Sequence, residues 1–329
     1  MTTWVLAGDV GGTKTDLAVY RFEERRKASR VRAETFPSRE HQGLEEIVRA
    51  FLAKQREPLA AAAFGIAGPV LGGEAKVTNL PWELREERLA EEIGCEQVRL
   101  VNDLETTAYG ALFLEPEELH TLNAGVPRET HRAVIAAGTG LGQAILFWDG
   151  SRHHPAATEG GHACFAPRSE RELELLRFLL ERHSRVSWER VLSGPGLRRI
   201  FEFLRAGGLP VSAEIAERIA NEDPSAVIGE AGVSSTCPTC EAAVDLFVSL
   251  YGAQAGNLAL TAMALGGVYV GGGIVTKLLP KVESGLFMEA FRNAGRFEPL
   301  LREIPVWVIL NPRTSLLGAA EFALDLAAR

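Results

Sequence analysis

Two glycine-rich turns stand between apolar, alternating stretches: Gly11-Gly12-Thr13-Lys14-Thr15 in "LAGDVGGTKTDLAVY" and Gly138-Thr139-Gly140-Leu141-Gly142 in "AAGTGLGQAIL". Backbone N–H groups of such turns can converge on an anion, and glycine permits the positive φ and close approach this needs. Two of them could grip one polyphosphate from two sides, with the Thr13 and Thr139 hydroxyls as further donors. The first is not a P-loop. That loop has Gly before its Lys and runs into a helix; here Thr13 precedes Lys14, and Thr15, Leu17 and Val19 alternate with Asp16, Ala18 and Tyr20 at the period of a strand. Taken singly, either turn is also an ordinary strand connection. Asp9, at the entrance to the first turn, would repel a phosphate unless a cation intervened. Mg²⁺ resolves that conflict, since it binds phosphates with one or two carboxylates, often through retained waters; otherwise Asp9 caps the turn through its own backbone.

A second group of residues suits a polyol. "LVNDLETTAYGAL" puts Asn102 and Asp103 at the carboxyl end of a strand, where open α/β sheets bind ligands. An Asp there could accept a proton from an attacking hydroxyl in phosphoryl transfer, or it could be the N-cap of the following helix. "ATEGGHACFAP" adds Glu159 and His162, and "SWERVLSGPGL" adds Glu189. Carboxylates, imidazole and amide together can hydrogen-bond vicinal hydroxyls. Alone, Glu189 reads as a solvated helix residue and His162 as a core histidine. Cys237-Pro238-Thr239-Cys240 supplies only two of the four ligands of a structural zinc, and neither Cys95, Cys164 nor the histidines give a second pair at suitable spacing. With Thr236 as cap and Pro238 in the first turn, the CxxC reads as a helix start, with redox sensitivity as the other reading.

The elements that must carry these groups alternate. Strand, turn and strand are followed by a helix at "GLEEIVRAFLAKQ", a strand at "AAAAFGIAG", and a strand at "VRLVND" feeding another helix, which is α/β architecture. After the expected loop "LEPEELHTLNAGVPRETH" the pattern of apolar run, glycine turn and apolar run recurs. The pairing of Gly12-Thr13 with Gly138-Thr139 indicates an internal repeat, hence two similar domains facing each other across a cleft. Helices dominate later, at "SERELELLRFLLERH" and "CEAAVDLFVSLYGAQAGNLALTAMAL", with a loop expected at Pro224, Gly229 and Gly232. "GGVYVGGGIV" is a strand entering three glycines, and the chain closes on "IPVWVIL" and the helix "SLLGAAEFALDLAAR".

The chain has 329 residues, enough for about two domains, with 46% hydrophobic and 24% charged residues and a net charge of -8. No basic run suits phosphate neutralisation, so nucleic acid is not an expected partner. No signal peptide or bilayer-length apolar span is evident, which makes a cytoplasmic location the expectation, and four cysteines are too sparse for a disulfide framework.

The ordered set "GDVGGTKTDLAVY", "GIAGPV", "TNLPWEL", "LVNDLE", "AAGTGLGQAIL", "EGGHACFAP", "ERVLSGPGL", "GGVYVGGGI" and "LLGAA" resembles, almost end to end, the bacterial glucokinases of the hexokinase branch of the actin-like ATPase superfamily. The resemblance implies two α/β domains of ribonuclease-H-like topology. Residues 1–115 joined by the C-terminal helix 315–329 would form the small domain, and 116–314 the large one. It also implies ATP and Mg²⁺ in the cleft, phosphorylation of the glucose 6-hydroxyl, and a homodimer. Asp103 matches the family's catalytic base, Asn102 a sugar ligand, and Glu159, His162 and Glu189 the residues that bind the sugar hydroxyls. Gly11, Gly12, Thr13, Lys14 and Thr15 match one phosphate loop, and Gly138, Thr139 and Gly140 the other. Gly271, Gly272 and Gly273 match the adenosine-side motif, and Asp9 the position near the metal. The "TCPTC" segment matches nothing in the pattern, and the cysteine-rich zinc motif of the repressor and sugar-kinase relatives is missing. Two alternatives remain at this level: a kinase for another hexose or an N-acetylhexosamine, and a non-enzymatic sugar-responsive regulator. Regulators of that kind carry an N-terminal helix-turn-helix, for which a first strand beginning near Trp4 leaves no room.

Overall fold

The computed structural model describes residues 2–23 and 28–328. Two compact units divide it, one built on residues 1–115, 153–157 and 311–329, the other on 116–152 and 158–310. In the first, β1 (Thr2–Val10), β2 (Lys14–Glu23), β3 (Ser29–Pro37) and β4 (Ala61–Ile66) precede three short strands, β5 (Val70–Leu71), β6 (Glu74–Lys76) and β7 (Glu83–Arg85), which form a small antiparallel sheet. With β8 (Val98–Asn102) the first four complete a main sheet of order β3-β2-β1-β4-β8. The hairpin strands pair antiparallel and β1, β4 and β8 pair parallel.

Alternation along β1 sends its two sets of side chains to two different cores. Leu6 and Val10 join Leu17, Phe64, Ile47, Phe51 and Trp82 on one face. Val5 and Ala7 join Ala18, Ala61 and Ala63 under Leu316, Ala319, Ala320 and Ala323 of the helix Thr314–Ala327 on the other. That second face is small-residue packing, and it brings the last helix onto the helix Asp103–Ala111 at backbone contact. A Cβ on Gly318 would strike the Thr106 carbonyl oxygen, and one on Gly110 the carbonyl of Thr314. The crossing is what delivers Ser315 to Asp9, as described below. Arg329, the last residue of the expected helix, lies outside the described residues.

In the second unit the strands are β9 (Leu119–Asn123), β10 (Arg132–Ala137), β11 (Leu141–Trp148), β13 (Val268–Gly271) and β14 (Val306–Ile309). The strand β12 (His153–Thr158), all but its last residue grouped with the first unit, leads into Glu159. Sheet neighbours run β11-β10-β13-β14-β9. The stretch β11-β10-β13-β14 repeats β2-β1-β4-β8 of the first unit in order and direction, an antiparallel hairpin followed by two parallel neighbours. The 24-residue helix Pro238–Thr261 buries residues on every side, among them Phe247, Val248, Leu250, Tyr251 and Ala255, as expected of an apolar helix inside a core.

Three local expectations change. The stretch expected to be a loop after residue 113 contains β9, which pairs antiparallel with β14. The loop expected at Pro224 is a helix, Pro224–Val233, because Asp223 caps it through Ser225 N–H and Pro224 occupies its first turn. Its Gly232 is there for contact: a Cβ would come within 2.7 Å of the Cys240 carbonyl oxygen. Finally, the helix at the CxxC is capped by Cys237, whose Sγ accepts the Cys240 N–H at 3.2 Å, while Thr236 turns back to the Ala231 carbonyl. Cys237 and Cys240 are both free thiols and buried. Burial and the neighbouring Cys237 hold the Cys240 thiol well above its ordinary range.

Candidate active site

In the first unit the hairpin closes through Gly11 N–H donating to the Lys14 carbonyl at 3.0 Å. Neither Gly11 nor Gly12 has positive φ. The need for Gly12 is steric, since a Cβ there would sit 2.7 Å from the Thr78 carbonyl oxygen. Ser38 holds the loop from behind: its Oγ donates to the Gly11 carbonyl at 2.8 Å and lies 3.0 Å from Thr15 Oγ1, and its N–H donates to the Thr13 carbonyl. The Thr15 side chain is therefore buried and engaged, whereas Thr13 and Lys14 are exposed. Lys14 Nζ pairs with Asp16 at 2.8 Å.

Asp9 lies at the end of β1, held by Ser315, whose Oγ donates to its Oδ1 at 3.0 Å. Burial pushes this carboxyl above the usual range, the Ser315 bond partly opposing it. Thr106 Oγ1 stands 2.9 Å from Ser315 Oγ and 2.9 Å from the Asp103 carbonyl, with one proton for the two, and Thr107 Oγ1 donates to that carbonyl at 2.8 Å. A continuous line of hydroxyls thus joins the Asp9 carboxyl to the first residue of the helix Asp103–Ala111. That helix is capped by Asn102 rather than by Asp103: Asn102 Oδ1 accepts the Leu104 N–H at 2.9 Å, and Glu105 reaches back to the Asn102 N–H. Asn102 Nδ2 donates to the Gly68 carbonyl at 3.1 Å. The capping duty thus falls to Asn102, and it fixes the backbone of Asp103 at the strand's carboxyl end.

In the second unit Gly138 N–H donates to the Gly140 carbonyl at 2.9 Å, and the Gly138 carbonyl accepts from Gly194 N–H at 2.9 Å. Glu189 is partly buried beside this turn. Its Oε2 accepts the Leu141 N–H at 3.1 Å, and a Cβ on Gly140 would come within 2.6 Å of it. It is neither a solvated helix residue nor remote from the phosphate-type turn. The turn Glu159-Gly160-Gly161-His162 rests on β11, with Gly161 against the Leu141 carbonyl and Gly160 against the Gln143 amide. His162 and Glu159 are exposed side chains 3.8 Å apart, so His162 is not a core histidine; the Arg185 guanidinium donates to the His162 carbonyl at 2.7 Å. At the end of β13, Gly272 has φ of 90° and packs on the Ala137 carbonyl, a place only glycine can take. Gly273 opens the short helix Gly273–Lys277.

Sequence reasoning missed the supporting residues. Ser315 and Thr106 carry no motif, and Gln143 is a buried amide whose Nε2 has no partner among the described residues. Ser315 is adjacent to "LLGAA", but nothing in the spacing signals a contact across 306 positions.

Paired glycine turns on two repeated ribonuclease-H-like sheets, with an Asn-Asp step at a strand's carboxyl end, define a sugar kinase of the actin-like ATPase fold. The glucokinase family model matches residues 6–326, and the chain belongs to that family. The glucokinase of Nostoc punctiforme is 42% identical over 98% of this chain and all of its own length. The crystal structure of a glucokinase from an Antarctic psychrotroph superposes with a TM-score of 0.85 at 27% identity, covering 98% of this chain and 99% of that one. The same fold is seen in a ROK family glucokinase from Streptomyces griseus in complex with glucose and AMPPNP, with a TM-score of 0.66 at 22% identity over 98% of this chain and 99% of that chain.

Proposed function

We propose that Asp103 is the general base with which this chain transfers the γ-phosphoryl group of ATP to the 6-hydroxyl of glucose. The observation that carries the role of Asp103 is the Asn102 cap, which leaves Asp103 as the first residue of its helix at the carboxyl end of β8. As the 6-oxygen bonds to the γ-phosphorus and the bond to the β–γ bridging oxygen breaks to release ADP, Asp103 takes the hydroxyl proton. The rest of the rate comes from positioning and charge stabilisation. Asn102, Glu159, His162 and Glu189 are the sugar-hydroxyl partners in this reading. The turns at residues 11–15 and 138–140 hold phosphates through backbone N–H groups, and Gly271, Gly272 and Gly273 face the adenosine.

Asp9 fits Mg²⁺. It is a partly buried carboxylate at the strand end beside a phosphate-type turn, and a cation next to it would restore the charged form that burial disfavours. Among the described residues no group of three or more His, Cys, Asp or Glu could hold a metal by itself, so phosphate oxygens and water supply the other ligands in this reading. When bound, Mg²⁺ neutralises phosphate charge. Asp9 would hold it, through water in this reading, and Ser315 holds Asp9. No described helix is long and apolar enough to cross a membrane. The homodimer and the cytoplasmic location belong to this proposal as well, and are checked by light scattering and by cell fractionation.

The deciding experiment is Asp103→Asn. It should keep glucose affinity, measured by calorimetry, while kcat falls by about 10²–10⁴. Near-normal turnover would remove Asp103 from the role.

A further inference from the structure

We infer that the Tyr251 hydroxyl is a positioning group for the nucleotide, holding the two glycine turns of the second unit in one register. This rests on the reading of residues 138–140 and 271–273 as the ATP-holding turns. Tyr251 comes from the middle of the helix Pro238–Thr261 and is fully buried, its ring edge-on to Phe247 and Phe287 at centroid distances of 6.0 and 5.8 Å. Its oxygen accepts the Ala137 N–H at 3.0 Å and stands 2.9 Å from the Gly271 carbonyl and 3.2 Å from that of Ile135, with one proton for the two.

These are the groups where the sheet stops. The parallel ladder between β10 and β13 ends at the pair Ala136 and Gly271. Ala137 is followed at once by Gly138, and Gly271 by Gly272. Past the last pair a buried N–H and a buried carbonyl still need partners, and leaving either without one is costly. The phenol serves both, bridging strand ends that no longer bond each other. Gly272, packed on the Ala137 carbonyl, shows how closely the two turns abut. A hydroxyl there fixes the spacing between a phosphate-type turn and the adenosine-side turn, which one nucleotide must span. Burial keeps the phenol protonated well above neutral pH, so it can both donate and accept throughout the working range.

Three variants separate the possibilities. Tyr251→Phe keeps the ring and removes the oxygen. Phe247→Leu disturbs the same packing and leaves the oxygen. Gly272→Ala tests the nucleotide reading itself. Tyr251→Phe should raise the KM for ATP about 10-fold with the KM for glucose within about two-fold, Phe247→Leu should lower Tm without that selective change, and Gly272→Ala should raise the KM for ATP. If Gly272→Ala raises it and folded Tyr251→Phe does not, or if Phe247→Leu raises it equally, the positioning role is overturned. If Gly272→Ala leaves it unchanged, the nucleotide reading fails and takes the role with it. Should Tyr251→Phe not fold, hydrogen exchange on the unaltered chain decides: AMPPNP must slow exchange in both turns together, and protection of one alone overturns the inference.

Discussion

Ser315 Oγ donates to Asp9 Oδ1 at 3.0 Å, joining the first strand of the chain to its last helix. Ser315 is buried, and Thr106 stands on its other side, 2.9 Å away, on the helix that begins at Asp103. The carboxyl proposed to orient the metal and the residue proposed to take the proton therefore share one hydrogen-bonded support.

Ser315→Ala removes the donor and leaves the burial of Asp9 opposed only by the Lys14 charge. Because Asp9 is the proposed cation partner, kcat should fall about 10-fold and the Mg²⁺ concentration for half-maximal activity should rise, with the KM for glucose nearly unchanged. Mg²⁺ titrations at saturating ATP and glucose give the answer. An unchanged Mg²⁺ requirement would show that the bond serves folding alone.

Glu189 has two duties that a pair of substitutions can part. Its carboxylate accepts the Leu141 N–H beside the second glycine turn, and it is a proposed sugar ligand. Glu189→Gln can still accept that N–H through its amide oxygen, so it should raise the KM for glucose by about 10-fold or more while sparing that for ATP. Glu189→Ala should raise both. Equal effects of the two variants on ATP would mean that the Leu141 bond does not shape the turn.

Glu321 sets a pH dependence of stability. Burial, aided by the Asp325 charge, raises its carboxyl from 4.5 to about 7. The folded state therefore holds the proton more tightly than the unfolded chain. Stability from this group is complete below about pH 4.5 and is lost as pH rises through 7. Glu321→Gln should flatten that fall, on the order of 2 kcal/mol between about pH 5 and 8, visible as a smaller drop in Tm than in the unaltered chain. Parallel Tm profiles for the two proteins would refute the assignment.

Much of this protein was written locally. The hairpins around Gly12 and Gly138, the period-2 strands and the repeat of strand, turn and strand follow from residues close in sequence, because side-chain alternation and turn chemistry act over a few positions. The family pattern and the Asn102-Asp103 step were legible for the same reason. Which residue capped each helix was less so: Asn102 rather than Asp103, and Cys237 rather than Thr236, because neighbouring side chains can all reach the same free N–H groups and the chain's entry angle decides among them. Only the tertiary structure could bring Ser315 to Asp9, Tyr251 to the ends of β10 and β13, and Glu189 beneath Leu141. Those contacts depend on how helices cross over sheets, through glycines such as Gly110 and Gly318 that let backbones touch, and no spacing in a linear chain encodes a distance across 306 residues.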